Sequence, residues 1–131
     1  MIRVPSRLDD ETEKYRLETM ACGFAVHKAI GPGYSESIYV NAFCVELLAR
    51  QIPFDREKPF VVKYRDRPVG IHRLDLIVRE RVVVELKAVK TLKRVHEAQA
   101  LAYLKVSRLP IALLMNFGGP TLKEGLRRLV L

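Results

Sequence analysis

Residues 73–87, Arg73-Leu-Asp-Leu-Ile-Val-Arg-Glu-Arg-Val-Val-Val-Glu-Leu-Lys87, decide how this chain folds. Two strand-like runs flank a short charged segment, the pattern of a β-hairpin. A tight turn centred on Glu80 sets Leu74, Leu76 and Val78 opposite Leu86, Val84 and Val82. All six are apolar, as a strand face packed on a helix layer requires. The other face sets Arg73, Asp75 and Ile77 opposite Lys87, Glu85 and Val83. A slip by one residue would mix the two sets, so the pattern itself fixes the register.

This register puts Asp75 across from Glu85, with Cβ atoms roughly 4.5–5.5 Å apart. Like charges so placed repel, and a divalent cation is the natural compensation. Carboxylate oxygens suit Mg²⁺ or Mn²⁺, and Mg²⁺ commonly uses only one or two protein carboxylates. Lys87 lies two residues beyond Glu85 on the same face. There it would orient or help deprotonate an attacking water, or stabilise charge on a phosphate. Taken alone, the hairpin fits a blander reading equally well. In that reading Arg73–Asp75 and Glu85–Lys87 are solvated surface pairs, each worth about 0–1 kcal/mol.

Working outward, a first helix is expected over 12–30, with Leu17, Met20, Ala21, Phe24, Ala25 and Lys28 forming its inward stripe. Gly31-Pro32-Gly33 stops it. Ser35 is positioned to cap a second helix over 36–50, with Ile38, Ala42, Val45 and Leu48 or Ala49 inward. Strands are expected over 60–64, 70–78 and 82–87, with Arg65-Asp66-Arg67-Pro68 as a turn. A third helix over 95–105 leads past Pro110 to an apolar strand over 111–117, and a last element can follow Leu122. The sequence thus predicts one α/β domain over residues 1–131, in the order α-α-β-β-β-α-β, with a central mixed sheet of about four strands. Residues 1–11 are expected to be a flexible N-terminal segment.

About half the residues, 49%, are apolar, enough to build a core and to exclude global disorder. No apolar run approaches the roughly 20 residues that span a bilayer, so no membrane association is expected. Cys22 and Cys44 lack zinc spacing and read as reduced, buried thiols, which points to the cytoplasm. The net charge is +8. Residues 1–57 hold 7 basic and 9 acidic side chains (net −2), whereas residues 58–94 hold 11 and 4 (net +7). Positive charge concentrated in the middle third suggests a polyanionic partner.

Asp75 followed by Glu85-Leu86-Lys87 on the next strand resembles the signature of PD-(D/E)XK nucleases. The chain is most similar to one branch, the GxxExxY proteins, through Gly33-Tyr34-Ser35-Glu36-Ser37-Ile38-Tyr39. Val26-His27 with Ile30-Gly31-Pro32-Gly33, Val84-Glu85-Leu86-Lys87-Ala88, His96 to Tyr103-Leu104-Lys105, and Asn116-Phe117-Gly118 also match. The bare Asp…Glu-x-Lys pattern is weakly specific, whereas these matches in order are strong.

The resemblance implies a PD-(D/E)XK nuclease-like core and a metal-dependent hydrolase. It marks Asp75 and Glu85 as metal ligands, with the Leu86 carbonyl as a third. Lys87 resembles the catalytic lysine, and Glu36 the helical glutamate that completes many such sites through a bound water. Gln99 and Tyr103 match a Gln-x-x-x-Tyr motif, and their i,i+4 spacing shares one helical face. Gln99 would hold the substrate backbone or orient Lys87, and Tyr103 would contact phosphate. Lys90, Lys93 and Arg94 follow the motif and would grip the nucleic-acid backbone. Glu36 also suits a helix's first turn for the dipole alone, and Tyr39 reads as core. His27 and His96 read as packing or surface histidines.

The expected function is therefore a Mg²⁺- or Mn²⁺-dependent nuclease acting on nucleic acid, more readily DNA. The alternative is an inactive nucleic-acid-binding or accessory module on the same fold. A domain this small also suggests a homodimer or a partner protein.

Overall fold

A computed structural model describes residues 8–131. Its elements are α1 (Asp10–Ile30), α2 (Glu36–Ala49), β1 (Phe54–Tyr64), β2 (Arg67–Val78), β3 (Val82–Lys87), α3 (Arg94–Ser107), β4 (Ile111–Asn116) and β5 (Leu126–Leu129). The five strands form one sheet in chain order, β1-β2-β3-β4-β5. β1–β2, β2–β3 and β4–β5 are antiparallel, whereas β3 and β4, joined through α3, are parallel. A parallel pair needs such a helical crossover. The mixed α/β architecture is the expected one, with β5 as a fifth strand.

The hairpin register is the one the apolar pattern requires: Leu76 pairs with Val84, Ile77 with Val83 and Val78 with Val82. Leu76, Val78, Val84 and Leu86 pack in one core with Cys22 and Val26 of α1 and Tyr39, Phe43 and Leu47 of α2. Ile77 and Val83 pack on the other face with Ala100 and Leu104 of α3. Leu74 departs from expectation. It belongs to the α3 side with Ile77, not to the side of Leu76 and Val78. The alternation inverts between 74 and 76, beside Glu57 of β1, whose backbone is left-handed (φ 54°). Glu57 lies between Arg56, which pairs with Leu76, and Lys58, which pairs with Leu74. Both strands therefore turn at the level of Asp75.

The helices meet the expected faces only in part: Met20 and Ala42 pack against the core as expected, but other residues of the two stripes do not. Leu17 of α1 is 56% exposed, and Val45 and Leu48 of α2 are 66% and 67% exposed. The residues that pack inward on α1 and α2 are instead Cys22, Val26, Tyr39, Phe43 and Leu47. Both helices are apolar on more than one side, so the period identified helices without fixing which stripe meets the sheet. Ser35 sits at the N-cap of α2, but its side chain makes no capping bond. Its hydroxyl faces that of Ser37 instead.

At the N-terminus, Asp9 accepts a hydrogen bond from the Thr12 amide at 2.7 Å and starts α1 at Asp10. The segment expected to be flexible thus already includes helix at Asp10 and Glu11; residues 1–7 lie outside those described. β1 begins at Phe54, earlier than the expected 60, as an edge strand that tolerates Pro59. Arg65 and Asp66 alone make the β1–β2 turn. Arg67 and Pro68 are already strand, where β2 has no β3 partner and needs no second ladder.

Candidate active site

Glu85 comes from the middle of the sheet, on a strand whose neighbours Val83, Val84 and Leu86 are fully buried. Valine-rich sequence suits such a two-sided position. Glu85 itself is only 4% exposed, and its Oε2 has no hydrogen-bond partner among the described residues. A buried, unpaired carboxylate oxygen is costly unless something else occupies it. Asp75 is beside it. The β2–β3 ladder ends at Leu76–Val84, and just beyond it the Asp75 Oδ2 accepts from the Leu86 amide at 3.2 Å. A strand residue turns its N–H and C=O toward the same neighbour. The Leu86 carbonyl is therefore directed to the Asp75 side as well.

The electrostatics report two carboxyls sharing one place. Burial pushes the Glu85 carboxyl well above the ordinary carboxylate range, and the adjoining Asp75 carboxyl raises it further. The Lys87 ammonium opposes both effects. Burial and the neighbouring carboxyl thus both favour the protonated form of Glu85. Glu36, at the first turn of α2, approaches from another element, with its Oε1 4.0 Å from the Lys87 Nζ. Partial burial raises the Glu36 carboxyl, while Lys87 and, more weakly, His96 pull it down. A cleft of about 170 Å³ opens here, lined by Glu36, Ser37, Val40, Arg56, Glu57 and Asp75. The fold thus brings Glu36, Asp75, Glu85 and Lys87 to one end of β3.

A family model of the PD-(D/E)XK nuclease superfamily matches residues 13–129. The chain belongs to that superfamily. No curated protein and no solved structure matches the chain significantly. The match covers every element from the first turn of α1 to the end of β5. Members of the superfamily generally use divalent metals.

In this nuclease-superfamily domain, the donors present suit such an ion. The unpartnered Glu85 oxygen, the adjoining Asp75 carboxyl and the Leu86 carbonyl supply hard oxygen ligands. Among the described residues, however, no three His, Cys, Asp or Glu side chains stand together closely enough to hold a metal ion. The Glu36 carboxylate lies beside the Lys87 ammonium at 4.0 Å.

Tyr103 of α3 is within electrostatic reach of the acidic group. Its phenol is pushed up to about 12, first by burial and then by Glu85, Asp75 and Glu36. It is a neutral hydrogen-bond donor at physiological pH. Gln99 lies one turn earlier and its side chain is exposed. Lys90 and Lys93 stand exposed between β3 and α3, and Arg94 is the exposed first residue of α3. Lys90 and Lys93 line a depression of about 450 Å³ with His96. The His96 Nδ1 accepts from the Lys93 amide at 2.9 Å, which ties down the start of α3. His27 and Tyr39 are structural. His27 Nε2 is 3.0 Å from the Gly119 carbonyl, and the Tyr39 hydroxyl donates to the Gly31 carbonyl at 2.6 Å.

One supporting residue has a role that its sequence position did not disclose. The Asn116 side chain bonds both backbone groups of Val89, accepting from N at 3.0 Å and donating to O at 2.9 Å. It also accepts from the Gly118 amide at 3.0 Å. This clamps the chain leaving β3, just past Lys87, to the end of β4. A Cβ at Gly118 would lie 2.2 Å from the Val89 carbonyl oxygen, so only glycine allows the approach. The Asn-Phe-Gly run was visible in the sequence, but not its target 27 residues away.

Proposed function

We propose that this chain is a Mg²⁺- or Mn²⁺-dependent nuclease of the GxxExxY branch, which hydrolyses phosphodiester bonds in DNA. The observation that carries this reading is the unpartnered oxygen of buried Glu85, set against a second carboxyl and beside Lys87. Burying Glu85 with that oxygen unpaired is destabilising unless it serves a ligand. Asp75, Glu85 and the Leu86 carbonyl would hold the ion. When bound, the ion supplies Lewis-acid polarisation and a stronger water nucleophile.

The protein's own part is positioning and charge. Lys87, 4.0 Å from Glu36, holds its ammonium where a water is oriented or phosphate charge is stabilised. Glu36 fixes that ammonium and can accept a proton from a water between them. Tyr103 donates to a phosphate oxygen, and exposed Gln99 holds the backbone on the same face of α3. Lys90, Lys93 and Arg94 bind flanking phosphates through charge. In this reading residues 1–131 act as one cytoplasmic domain, alone, as a homodimer or with a partner protein.

The test is cleavage of labelled DNA and RNA with Mn²⁺ or Mg²⁺, comparing wild type with Asp75→Ala and Lys87→Ala. Each substitution is expected to reduce the rate by roughly 10²–10⁴-fold, the scale of one transition-state contact or acid–base group. Equal, metal-independent cleavage by all three proteins would reject the site.

A further inference from the structure

The β1–β2 hairpin reaches well past the sheet. β2 runs from Arg67 to Val78, yet only Leu76–Val78 pair with β3. Beyond that point residues 58–74 form a two-stranded ribbon, and all of residues 67–73 are exposed. From Lys58 to its tip the ribbon is roughly 20 Å long at 3.3 Å per residue. It carries Lys58, Lys63, Arg65, Arg67 and Arg73 against a single acid, Asp66.

Among the described residues, none of these five cations is in an ion pair. Outside the ribbon, Arg16, Arg50, Arg79, Arg81, Arg127 and Arg128 pair with Asp or Glu, whereas Arg56, Arg94 and Arg108 do not among the described residues. The ribbon's charges are thus left unspent by the fold. The root of the ribbon is also at the candidate site. Glu57 lines the cleft with Asp75, and the His72 ring meets Tyr103 edge-on at 5.3 Å. The tip is held by a two-residue turn with positive φ at Arg65 and Asp66 (50° and 63°). Such turns match the strand twist, so the arm is a defined shape and not a loose loop.

We propose that the ribbon over residues 58–73 is a DNA-binding arm, gripping the phosphate backbone of a duplex whose scissile region lies at Asp75. This deepens the nuclease reading and rests on it for the position of the scissile region. A two-stranded ribbon has the width of a B-form major groove, whereas the A-form groove is too narrow to admit it. The arm therefore selects duplex DNA over duplex RNA.

The experiment measures binding of a short DNA duplex by the full chain in EDTA, across a salt series. Lys63→Gln/Arg65→Gln/Arg67→Gln is compared with Lys14→Gln/Lys28→Gln/Lys123→Gln, which removes equal charge from exposed sites elsewhere. The arm variant should bind about ten- to a hundredfold more weakly, and its log K against log salt slope should shrink by about 2–3. The control should stay within about threefold of wild type, and Arg65→Gln alone should shift the slope by about 1. Equal losses in both triple variants, no change in the arm variant, or equal effects on duplex RNA would overturn the arm. No binding by wild type, or binding of polyglutamate as tight as DNA, would overturn it too. Cleavage with Mn²⁺ is scored separately. Binding lost in the arm variant without cleavage by wild type leaves the arm standing and removes the hydrolase. Cleavage by wild type with an unaffected arm variant does the reverse.

Discussion

Strand β3 and the outer half of β2 are adjacent in the chain and opposite in environment. Residues 82–86 are buried, packed on both faces, and carry one ionisable side chain, Glu85. Residues 67–73 are exposed on a two-stranded ribbon and carry several. Phosphodiester chemistry needs both conditions. Aimed charges act more strongly in a dry, close-packed floor, where they cannot reorganise. Long-range capture of a polyanion needs cations left in water, where they exchange counterions freely. The boundary between the two environments falls at Asp75, where β2 stops pairing with β3 and the face alternation inverts.

The sharpest way to break this comparison is to truncate one apolar side chain in each region. Leu113 lies on β4, fully buried between Val84 and the helices. Leu113→Ala should cost about 2–5 kcal/mol, the transfer term plus an unfilled cavity. Ile71 on the ribbon is 61% exposed, and Ile71→Ala should stay within about 0.5 kcal/mol. Urea unfolding of both variants checks the pair. A large loss at Ile71 would mean that the ribbon face is covered in solution and is not free.

A second test concerns the cost of the floor itself. Burial and Asp75 raise the Glu85 carboxyl in the folded protein, so the fold takes up a proton that the unfolded chain releases. Stability linked to Glu85 is thus complete below the unfolded value near 4.5 and declines as pH rises toward the folded value. At pH 7 the decline amounts to about 3 kcal/mol, set by the distance between 4.5 and 7. Glu85→Gln removes the titration and keeps a donor toward Asp75, so it should stabilise the metal-free protein by up to about 3 kcal/mol. Wild-type thermal stability without metal should fall from pH 5 to 8, and the variant's should fall less. Mn²⁺ should stabilise wild type increasingly with pH, because binding displaces the proton, and should leave Glu85→Gln nearly unchanged. A destabilised, metal-responsive variant would refute the assignment.

These contrasts also explain which parts were legible in the sequence. The β2–β3 register was legible because strict alternation of six apolar residues leaves one register that buries them all. The proximity of Asp75, Glu85 and Lys87 followed from it. The inward faces of α1 and α2 were not legible. Leu17, Val45 and Leu48 make as good a stripe as Cys22, Phe43 and Leu47, and only the sheet's shape selects between them. The early start of β1 was hidden because Phe54-Asp-Arg-Glu-Lys58 is half-exposed edge strand with little apolar signal. Leu74 was misplaced because alternation cannot report a left-handed residue, Glu57, on the neighbouring strand. Asn116 is a long-range bond, and no local pattern encodes its partner.

The smallest effect sharpens the comparison at the ribbon tip. Arg65 and Asp66 both adopt positive φ in a two-residue hairpin turn, a conformation in which Asn-Gly is favoured. Arg65→Asn/Asp66→Gly should relieve local strain and deepen hydrogen-exchange protection of the ribbon amides by about 0.5–1 kcal/mol. Global unfolding should shift much less, because the ribbon opens as a unit below the global free energy when few buried contacts tie it down. The two readouts separate by design. If the turn substitution raises protection in β3 and β4 as much as in β1 and β2, the ribbon is not an independent unit. The exposed cations then belong to the same cooperative block as the acidic floor, and the division of labour between the two regions is wrong.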